Sequence, residues 1–409
     1  MFIPKDVLDV IETLESAGYE AWVVGGCVRD SLLGRNPKDY DVASSCPPSD
    51  VTKLFSRCVN TGAAYGTVTV LTPSIPVEVT VFRTESVYSD NRHPDIVVPA
   101  NDIETDLSRR DFTINAMAWH PVRKLCDPYD GQSDLIHQTV KTVGDPYTRF
   151  SEDALRILRC LRFASVLDFN IDTATLEAVR FLSPSLSRIS AERINTELIK
   201  LLTGVRPELI SETVTSGGLS RFGITNISRP FLLRKIPTKP ILRLTALLWL
   251  SLNNVSVTNV TGLLKALRMD NAAIYKVNCL IRAISTPVPA DLISLKQTFC
   301  NIPPKIWREA LSIRAVLLEE NTDGIEEMLK QTAGEPWNRS MLSVDGSDIA
   351  VLGFQGKAIG RVLTILLEHV LKDPSLNTHK SLMAIAEKLV EKMPPEPNQK
   401  SNSPESCKK

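Results

Sequence analysis

Closely spaced cysteine pairs are absent from the sequence, although eight cysteines are scattered along its 409 residues. Structural zinc sites usually draw on such pairs, so their absence argues against a zinc centre. In a chain this long, scattered cysteines are typical of reduced and mostly buried thiols, which favours the cytosol over an oxidising compartment. We therefore expect a cytoplasmic protein without structural zinc.

Long hydrophobic runs are missing as well. The longest one, residues 241–252, contains Arg243 and is shorter than the ~20 residues that a membrane-spanning helix requires. The N-terminal segment MFIPKDVLDV has no basic stretch followed by an apolar one, so no secretory signal is expected. Apolar residues at 43% and charged residues at 23% are typical of a globular protein, and no association with a membrane is predicted.

Net charge is also absent, because 47 basic residues balance 47 acidic ones. This balance argues against a protein that coats nucleic acids through bulk charge. The first 150 residues contain 14 basic and 21 acidic residues, and the remainder has a matching excess of basic ones. An acidic first part could hold a divalent metal and a basic remainder could bind a polyanion, although an imbalance of this size also arises by chance.

The hydrophobic pattern divides the chain into a mixed part and a helical part. The first 145 residues combine helical and β-branched segments, at 7–18, 20–24, 26–33, 40–43, 68–71 and 77–82. After residue 147 helical periodicity prevails to the end, beginning with a helix at 151–167. We predict an α+β fold in which a domain with a mixed or antiparallel sheet and helices precedes an all-α remainder.

The segment most informative about chemistry is GGCVRDSLLGRNPKDYDVA, residues 25–43. Asp39 and Asp41 lie two residues apart at the start of a predicted strand, which points alternate side chains to one face. Adjacent carboxylates repel unless a cation lies between them, and hard oxygen ligands suit Mg²⁺. The glycine pair at 25–26 exposes backbone amides at a predicted helix N-terminus, and Arg29 stands within reach of the same phosphates. Together these features predict a site for a metal-bound triphosphate.

Each feature also has a purely structural interpretation. Two aspartates at this spacing are common at a solvated strand edge or turn, and a glycine pair is common in a turn. Their combination within one strand–helix–strand unit is what favours a functional site.

This segment resembles motifs of the bacterial class II tRNA nucleotidyltransferases, which include the CCA-adding enzymes, and of the related poly(A) polymerases. The resemblance rests on GG-x-VRD and KDYD, and it covers the first 200 residues densely. Further matching segments are VEVTVFRTE at 77–85, YSDNRHPD at 88–95, DLSRRDFTINAMA at 106–118, SEDALRILRCLRFA at 151–164 and, more loosely, GSDIAVLGFQGKAIG at 346–360.

The resemblance implies a polymerase-beta-like nucleotidyltransferase head at residues 1–147 and a helical neck that selects the nucleotide at 148–205. A helical body at 206–330 and a helical tail that docks tRNA at 331–393 would follow. Residues 394–409 have the composition of a disordered segment.

By the same resemblance, Asp39 and Asp41 are the catalytic residues and hold two Mg²⁺ ions. Glu78, on a nearby predicted strand, is a candidate third carboxylate, and a structural glutamate is an equal alternative.

The nucleotide is expected to contact Gly26, Arg29 and Arg110, and Asp111 is expected to approach its ribose. Without the resemblance, the cluster at 109–111 would be interpreted as a helix start, with Asp111 as the cap.

The neck motif places Asp153 and Arg156 three residues apart, on one face of the predicted helix. One interpretation is an ordinary salt bridge. The other is a template for a base edge, in which the carboxylate accepts from the exocyclic amine of cytosine or adenine and the guanidinium donates to the adjacent ring nitrogen. Uracil and guanine present the opposite pattern, so they would be excluded. Arg159 and Arg162 continue the spacing and would reach phosphates or the base, unless they form a solvated face.

The implied function is template-independent addition of C, C and A, from CTP and ATP, to the 3′ end of tRNA with release of pyrophosphate. An A-adding specialist and a poly(A) polymerase share these motifs, although the segment at 88–95 resembles a mobile loop that C-adding specialists typically lack. A catalytically inactive tRNA-binding module is an alternative of a different class. The upper half of tRNA would be recognised by shape and phosphates, without sequence reading, and no stable protein partner is predicted.

Overall fold

The computed structural model of the chain describes residues 3–62, 66–85, 97–100, 102–252, 255–289, 291–299, 302–332 and 334–392. It comprises two compact units, residues 1–274 and 275–409. The predicted mobile loop at 88–95 and the predicted disordered segment at 394–409 lie outside the described residues. Among the helices that are described, none combines the length and the apolar character that spanning a bilayer demands.

All described strands belong to the first unit. They are β1 (Ala21–Val24), β2 (Tyr40–Ser44), β3 (Cys58–Gly62), β4 (Thr67–Leu71), β5 (Pro76–Val81), β6 (Arg83–Glu85), β7 (Val97–Pro99), β8 (Ala118–His120), β9 (Lys124–Cys126), β10 (Thr139–Val140) and β11 (Asn170–Ile171). Seven of them form a sheet in the order β3-β4-β5-β2-β1-β8-β9. Strands β2 and β5 are parallel and the other neighbours in this sheet are antiparallel, so the predicted mixed sheet is confirmed.

Helices fill the rest of both units. The first unit contains α1 (Lys5–Ser16), α2 (Gly26–Leu32), α3 (Pro48–Leu54), α4 (Ile103–Ser108), α5 (Gly131–Ile136), α6 (Pro146–Glu152), α7 (Leu155–Leu167), α8 (Thr173–Leu182), α9 (Ala191–Leu202), α10 (Ser211–Thr215), α11 (Leu232–Lys235), α12 (Pro240–Ser251) and α13 (Val257–Ala266). The division between the units falls within α14 (Asn271–Ser285). The second unit continues with α15 (Leu292–Phe299), α16 (Pro304–Leu317), α17 (Asp323–Gln331), α18 (Gly346–Val351), α19 (Lys357–Lys372) and α20 (His379–Lys392). The predicted α+β fold is therefore confirmed.

The sheet is covered by apolar helix faces. Helix α1 buries Val7, Val10, Ile11 and Leu14, whose spacing matches one face of a helix. Strand β1 reads AWVV and is buried along its whole length, as a central strand covered on both faces should be. A buried strand that is paired on both sides at its carboxyl end therefore lies directly before the glycine pair.

The register of the sheet brings the site residues together. Antiparallel pairing places Val24 opposite Asp41, and parallel pairing places Glu78 beside Asp41 on the other side. Side chains at paired positions point to the same face of a sheet. The glycine turn that follows β1 and the carboxylates of Asp41 and Glu78 thus lie close together, near one end of the central strands.

Two sequence-based predictions of secondary structure were wrong. The predicted helix at 151–167 is two helices, α6 and α7, because Asp153 between them has an extended backbone with φ −143° and ψ 103°. The part after residue 147 is not entirely helical, since β11 pairs in parallel with β10. Apolar residues continue through the break before α7, so periodicity alone could not reveal it.

The second unit has a core of its own. Apolar residues of the segments around α18, α19 and α20 form this core, among them Phe354, Leu366 and Leu382. The buried guanidinium of Arg314 donates to the carbonyl oxygens of Ala283 and Ile284 over 2.8 Å each, at the carboxyl end of α14. These bonds satisfy carbonyls that a helix end leaves unpaired.

Candidate active site

A cavity of about 580 Å³ in the first unit gathers most of the predicted site residues. Eight arginines and four carboxylates contribute to its wall, so positive charge predominates, as a polyanion such as a triphosphate requires. These residues are Arg29, Arg83, Arg109, Arg110, Arg156, Arg159, Arg162, Arg193, Asp41, Glu78, Asp111 and Asp153, and the wall also includes Gly26.

The glycine pair lets the backbone approach the charged groups of the cavity closely. Gly25 has φ +76° and directly precedes α2, which begins at Gly26. A Cβ atom at Gly25 would lie 3.0 Å from Nη1 of Arg110 and 3.8 Å from Oδ2 of Asp41. Only glycine combines this backbone conformation with this close approach.

We expect Gly25→Ala to cost about 1–3 kcal/mol of stability and to raise the KM for a nucleoside triphosphate at least about tenfold. The added methyl group strains the backbone and pushes the Arg110 guanidinium away from the site. Steady-state kinetics and thermal unfolding measure the two effects separately. The matched control is Gly34→Ala, since Gly34 also has a positive φ of +69° but has open space around its Cβ position. The control should lose stability only; an equal rise in KM in both variants would contradict this explanation.

The two carboxylates predicted to be catalytic differ in their surroundings. Asp41 lies on β2 in the cavity wall, whereas Asp39 precedes the strand, is exposed and lies outside the wall as it is described. Burial raises the pKa of Asp41 to about 6, and the negative charges of Glu78 and Asp39 add to this effect against the opposing charge of Arg110. A carboxylate with these neighbours is stabilised by a cation, which is the condition for a metal ligand.

A metal ion at this site would draw part of its coordination from elsewhere. Within the described ranges, no three or more His, Cys, Asp or Glu side chains are grouped so that they could hold an ion. Mg²⁺ is often bound by one or two carboxylates together with phosphate oxygens of a substrate. The carboxylates of Asp39 and Asp41 fit that mode.

A chain of hydrogen bonds links the glycine-turn helix to the neck. Nη1 of Arg29 donates to Oδ1 of Asn115 over 2.7 Å, and Nδ2 of Asn115 donates to Oδ1 of Asp111 over 3.1 Å. Nε of Arg159 donates to Oδ2 of Asp111 over 2.7 Å. Burial alone would raise the pKa of Asp111, but Arg159 and the bond from Asn115 lower it to about 2. Asp111 is therefore a charged, buried hub and not the cap of a helix start.

The two arginines before Asp111 share a second buried carboxylate. Asp106 accepts from Arg109 at 2.8 Å and from Arg110 at 3.0 Å, and it is 1% exposed. Burial alone would raise its pKa, but Arg110 and Arg109 hold it below the usual value. Both arginines therefore have fixed positions in the cavity wall.

The neck residues lie in the wall but not in the predicted arrangement. Asp153 and Arg156 do not share a helix, because Asp153 ends α6 and Arg156 lies in the first turn of α7. Arg156 donates to the carbonyl oxygen of Arg149 over 3.0 Å and forms an ion pair with Glu152. Asp153 accepts from Arg193 over 2.7 Å. The break turns the Asp153 side chain towards α9, which a continuous helix would not do.

Three arginines of the cavity wall, one from α2 and two from α7, surround an aromatic ring. The guanidinium carbons of Arg29, Arg159 and Arg162 lie 5.2, 5.5 and 4.0 Å from the ring centroid of Phe163. Arg162 also pairs with Glu197 of α9 at 3.0 Å. Cation–π contacts and ion pairs of this kind hold a dense group of positive charges in place.

Several cavity residues were missed by the sequence analysis. Asn115 and Arg109 lie in the segment DLSRRDFTINAMA, and Phe163 lies in SEDALRILRCLRFA, so closer attention to these motifs could have identified them. Arg83 is the first residue of β6 and lies in the segment VEVTVFRTE at 77–85. Arg193 had only a weak local signal, a basic residue one turn before Glu197 in an amphipathic helix.

Comparison with known proteins is informative along almost the whole chain. Residues 21–141 match the family described as "Poly A polymerase head domain", and residues 168–219 match one described as "Probable RNA and SrmB- binding site of polymerase A". The CCA-adding enzyme of Enterococcus faecalis is 35% identical, across 94% of this chain and 96% of its own length. The chain belongs to the CCA-adding enzyme family.

Other members of the family support the assignment. The CCA-adding enzyme of Levilactobacillus brevis is 35% identical over 92% of this chain and 95% of its own. The crystal structure of the Bacillus stearothermophilus CCA-adding enzyme in complex with CTP has a TM-score of 0.81 and 26% identity, and the match covers 96% of this chain and 99% of that one. The resemblance to tRNA nucleotidyltransferases is thus confirmed, and the chain belongs to a family of enzymes.

Proposed function

We propose that this protein adds C, C and A, from CTP and ATP, to the 3′ end of tRNA and releases pyrophosphate. The observation that carries the proposal is the cavity, which collects most of the motif residues of a CCA-adding enzyme in one place, in a chain that matches such an enzyme over 94% of its length. We place the reaction in the cytoplasm, without a membrane or a stable protein partner.

The triphosphate is bound by the positive wall of the cavity. Gly26 offers a backbone amide at the start of α2, while Arg29 and Arg110 offer guanidinium groups whose positions other side chains already fix. Asp111, held in its charged form, keeps Arg159 in place and lies in the wall that the ribose would approach. Because contacts within the protein hold these groups in place, little rearrangement is needed when the nucleotide binds.

Asp39 and Asp41 are the residues that would hold two Mg²⁺ ions. When bound, the ions acidify the attacking 3′ hydroxyl and neutralise charge on the triphosphate and the leaving pyrophosphate. Asp41 brings its carboxylate into the cavity from β2, and Asp39 lies two residues earlier, where it is exposed. Glu78 lies beside Asp41 in the wall and is available as a third carboxylate.

Base choice is the task of Asp153 and Arg156. The carboxylate accepts from the exocyclic amine that cytosine and adenine share, and the guanidinium donates to the adjacent ring nitrogen. Arg159 and Arg162, with Phe163 between them, extend the positive surface towards the nucleotide. The helices after the head would hold the upper half of tRNA by its shape and its phosphates.

Product lengths on defined transcripts test the proposal. Purified protein with Mg²⁺ is incubated with tRNA transcripts ending at the discriminator base, at C and at CC, each with CTP, ATP, both, UTP or GTP. We expect two additions from CTP, one more from ATP, and none from UTP or GTP.

The other possible outcomes identify the competing functions. Extension of the CC-ending transcript alone, by ATP alone, would show an A-adding specialist. Long A tails would show a poly(A) polymerase, whose head domain gives its name to one of the matching families. Tight tRNA binding without any product would show an inactive binding module. Each of these results would overturn full CCA addition.

A further inference from the structure

Arg193 contacts the base-reading carboxylate from a separate helix. It lies in the first turn of α9, and its Nη2 donates to Oδ2 of Asp153 over 2.7 Å. The two side chains are 24% and 14% exposed, so water and salt screen this ion pair only partly. Hydrogen bonds between charged groups are short and directional, so the pair fixes an orientation as well as a distance.

The other oxygen of Asp153 is fixed independently. Oδ1 accepts from the backbone N–H of Leu155, the first residue of α7, over 3.0 Å. The terminal torsion of an aspartate is otherwise broad. With one oxygen held by α7 and the other by α9, the plane of the carboxylate is set.

Helix α9, which carries Arg193, is itself held against α7 by an ion pair. Glu197 lies one turn after Arg193 on the same face and pairs with Arg162 of α7 at 3.0 Å. The second amino nitrogen of Arg193, Nη1, is buried and has no hydrogen-bond partner among the described residues. Among the described residues, the carboxylate of Asp153 is thus the hydrogen-bond acceptor towards which the Arg193 guanidinium points.

We propose that Arg193 is a positioning residue for base selection, and that it acts by orienting the Asp153 carboxylate. The inference rests on the proposed function, in which Asp153 reads the exocyclic amine of the incoming base. Without Arg193 the Asp153 carboxylate loses the contact that holds Oδ2 and can rotate, so it no longer meets every base with the same acceptor geometry. A merely structural Arg193, which joins α9 to α7, would affect folding but not the choice of base.

Arg193→Met in the full chain tests this proposal. Single-turnover extension of a transcript ending at the discriminator base is measured with CTP and with UTP. We expect the ratio of the CTP rate to the UTP rate to fall about tenfold or more, and the CTP rate itself to fall less. Arg193→Lys keeps the charge and one donor and should restore part of the ratio, and thermal unfolding shows whether each variant is folded.

The matched control is Arg180→Met. Arg180 of α8 also donates to a carboxylate, that of Glu212, over 2.7 Å, but it lies outside the cavity wall. This control should keep the wild-type ratio. A loss of the ratio in the control as large as in Arg193→Met would show a general effect of breaking ion pairs and would overturn the proposal.

A double substitution shows whether the effect passes through Asp153. If it does, Arg193→Met lowers the ratio no further once Asp153→Ala is present. Two effects that multiply, or a wild-type ratio in folded Arg193→Met, would overturn the inference while leaving the proposed function intact. The proposed function itself would fail differently, through a wild-type protein that adds no C or A, or through an Asp153→Ala variant that still rejects UTP.

Discussion

Asp41→Asn is expected to slow the transfer of CMP to tRNA by about a thousandfold or more, with tRNA binding nearly unchanged. The substitution keeps the size of the side chain but removes the negative charge that would attract a metal ion into the cavity. Asp41 lies on the central strand β2, which is paired with β1 on one side and with β5 on the other. Because this pairing holds the backbone in place, a small shift of the strand cannot bring another side chain into the position of Asp41. Single-turnover rates at saturating CTP and Mg²⁺, together with a tRNA binding titration, measure both quantities.

Asp50→Asn is the matched control for this experiment. Asp50 belongs to the same unit and accepts hydrogen bonds from Tyr19 and Lys53, but it lies outside the cavity wall. It should transfer CMP at the wild-type rate. Glu78→Gln in the same assay decides whether the carboxylate beside Asp41 is a third ligand. An Asp41→Asn protein that keeps most of its activity would show that the catalytic metal is held elsewhere.

The part of the site that lies close together in sequence could be predicted. Gly25, Arg29 and Asp41 belong to one strand–helix–strand unit, and local rules fix where each side chain points. A short helix after a buried strand, followed by a second buried strand beside the first, leaves few arrangements. The convergence of these three residues therefore needed no knowledge of distant contacts, whereas Asp39, predicted to lie beside Asp41, is outside the wall as it is described.

The position of Asp153 could not be predicted by the same rules. Apolar residues recur at helical spacing from 154 onwards, so the segment is typical of one continuous helix. The backbone is extended at Asp153, whose side chain accepts from the backbone N–H of Leu155 and from Arg193, and the second of these partners is 40 residues away. Tertiary contacts here override a local preference, as happens at functional sites.

The internal partners of the arginines were likewise hidden. The spacing of Arg156, Arg159 and Arg162 showed that they follow one another along a helix, but not what each one contacts. Arg156 pairs with Glu152, shortly before it in the chain. Arg159 pairs with Asp111, far before it, and Arg162 pairs with Glu197, well after it. The interpretation as a solvated arginine face is wrong, because the three side chains are between 10% and 34% exposed and paired.

Asp153→Ala is expected to lower the ratio of CTP to UTP incorporation by about a hundredfold. In the proposed function, the wild-type carboxylate would accept from the exocyclic amine of cytosine and would face the carbonyl of uracil with a second acceptor, which costs free energy in a confined site. Alanine removes both the attraction and the repulsion, so CTP slows and UTP is admitted. Single-turnover extension with each nucleotide, and the same comparison of ATP with GTP on a transcript ending in CC, give the two ratios.

The control must account for the structural role of Asp153, whose Oδ1 also accepts from the backbone N–H of Leu155, the first residue of α7. Asp145→Ala removes a similar bond between a carboxylate and a backbone N–H, since Asp145 accepts from the N–H of Thr148 over 2.7 Å at the start of α6. Both variants should lose about 1 kcal/mol of stability, but only Asp153→Ala should change the choice of base. If both variants reject UTP as firmly as the wild-type protein does, the base edge is read by other groups in the wall. Arg156 would then be the first of these groups to replace, because it lies in the same wall and is 8% exposed.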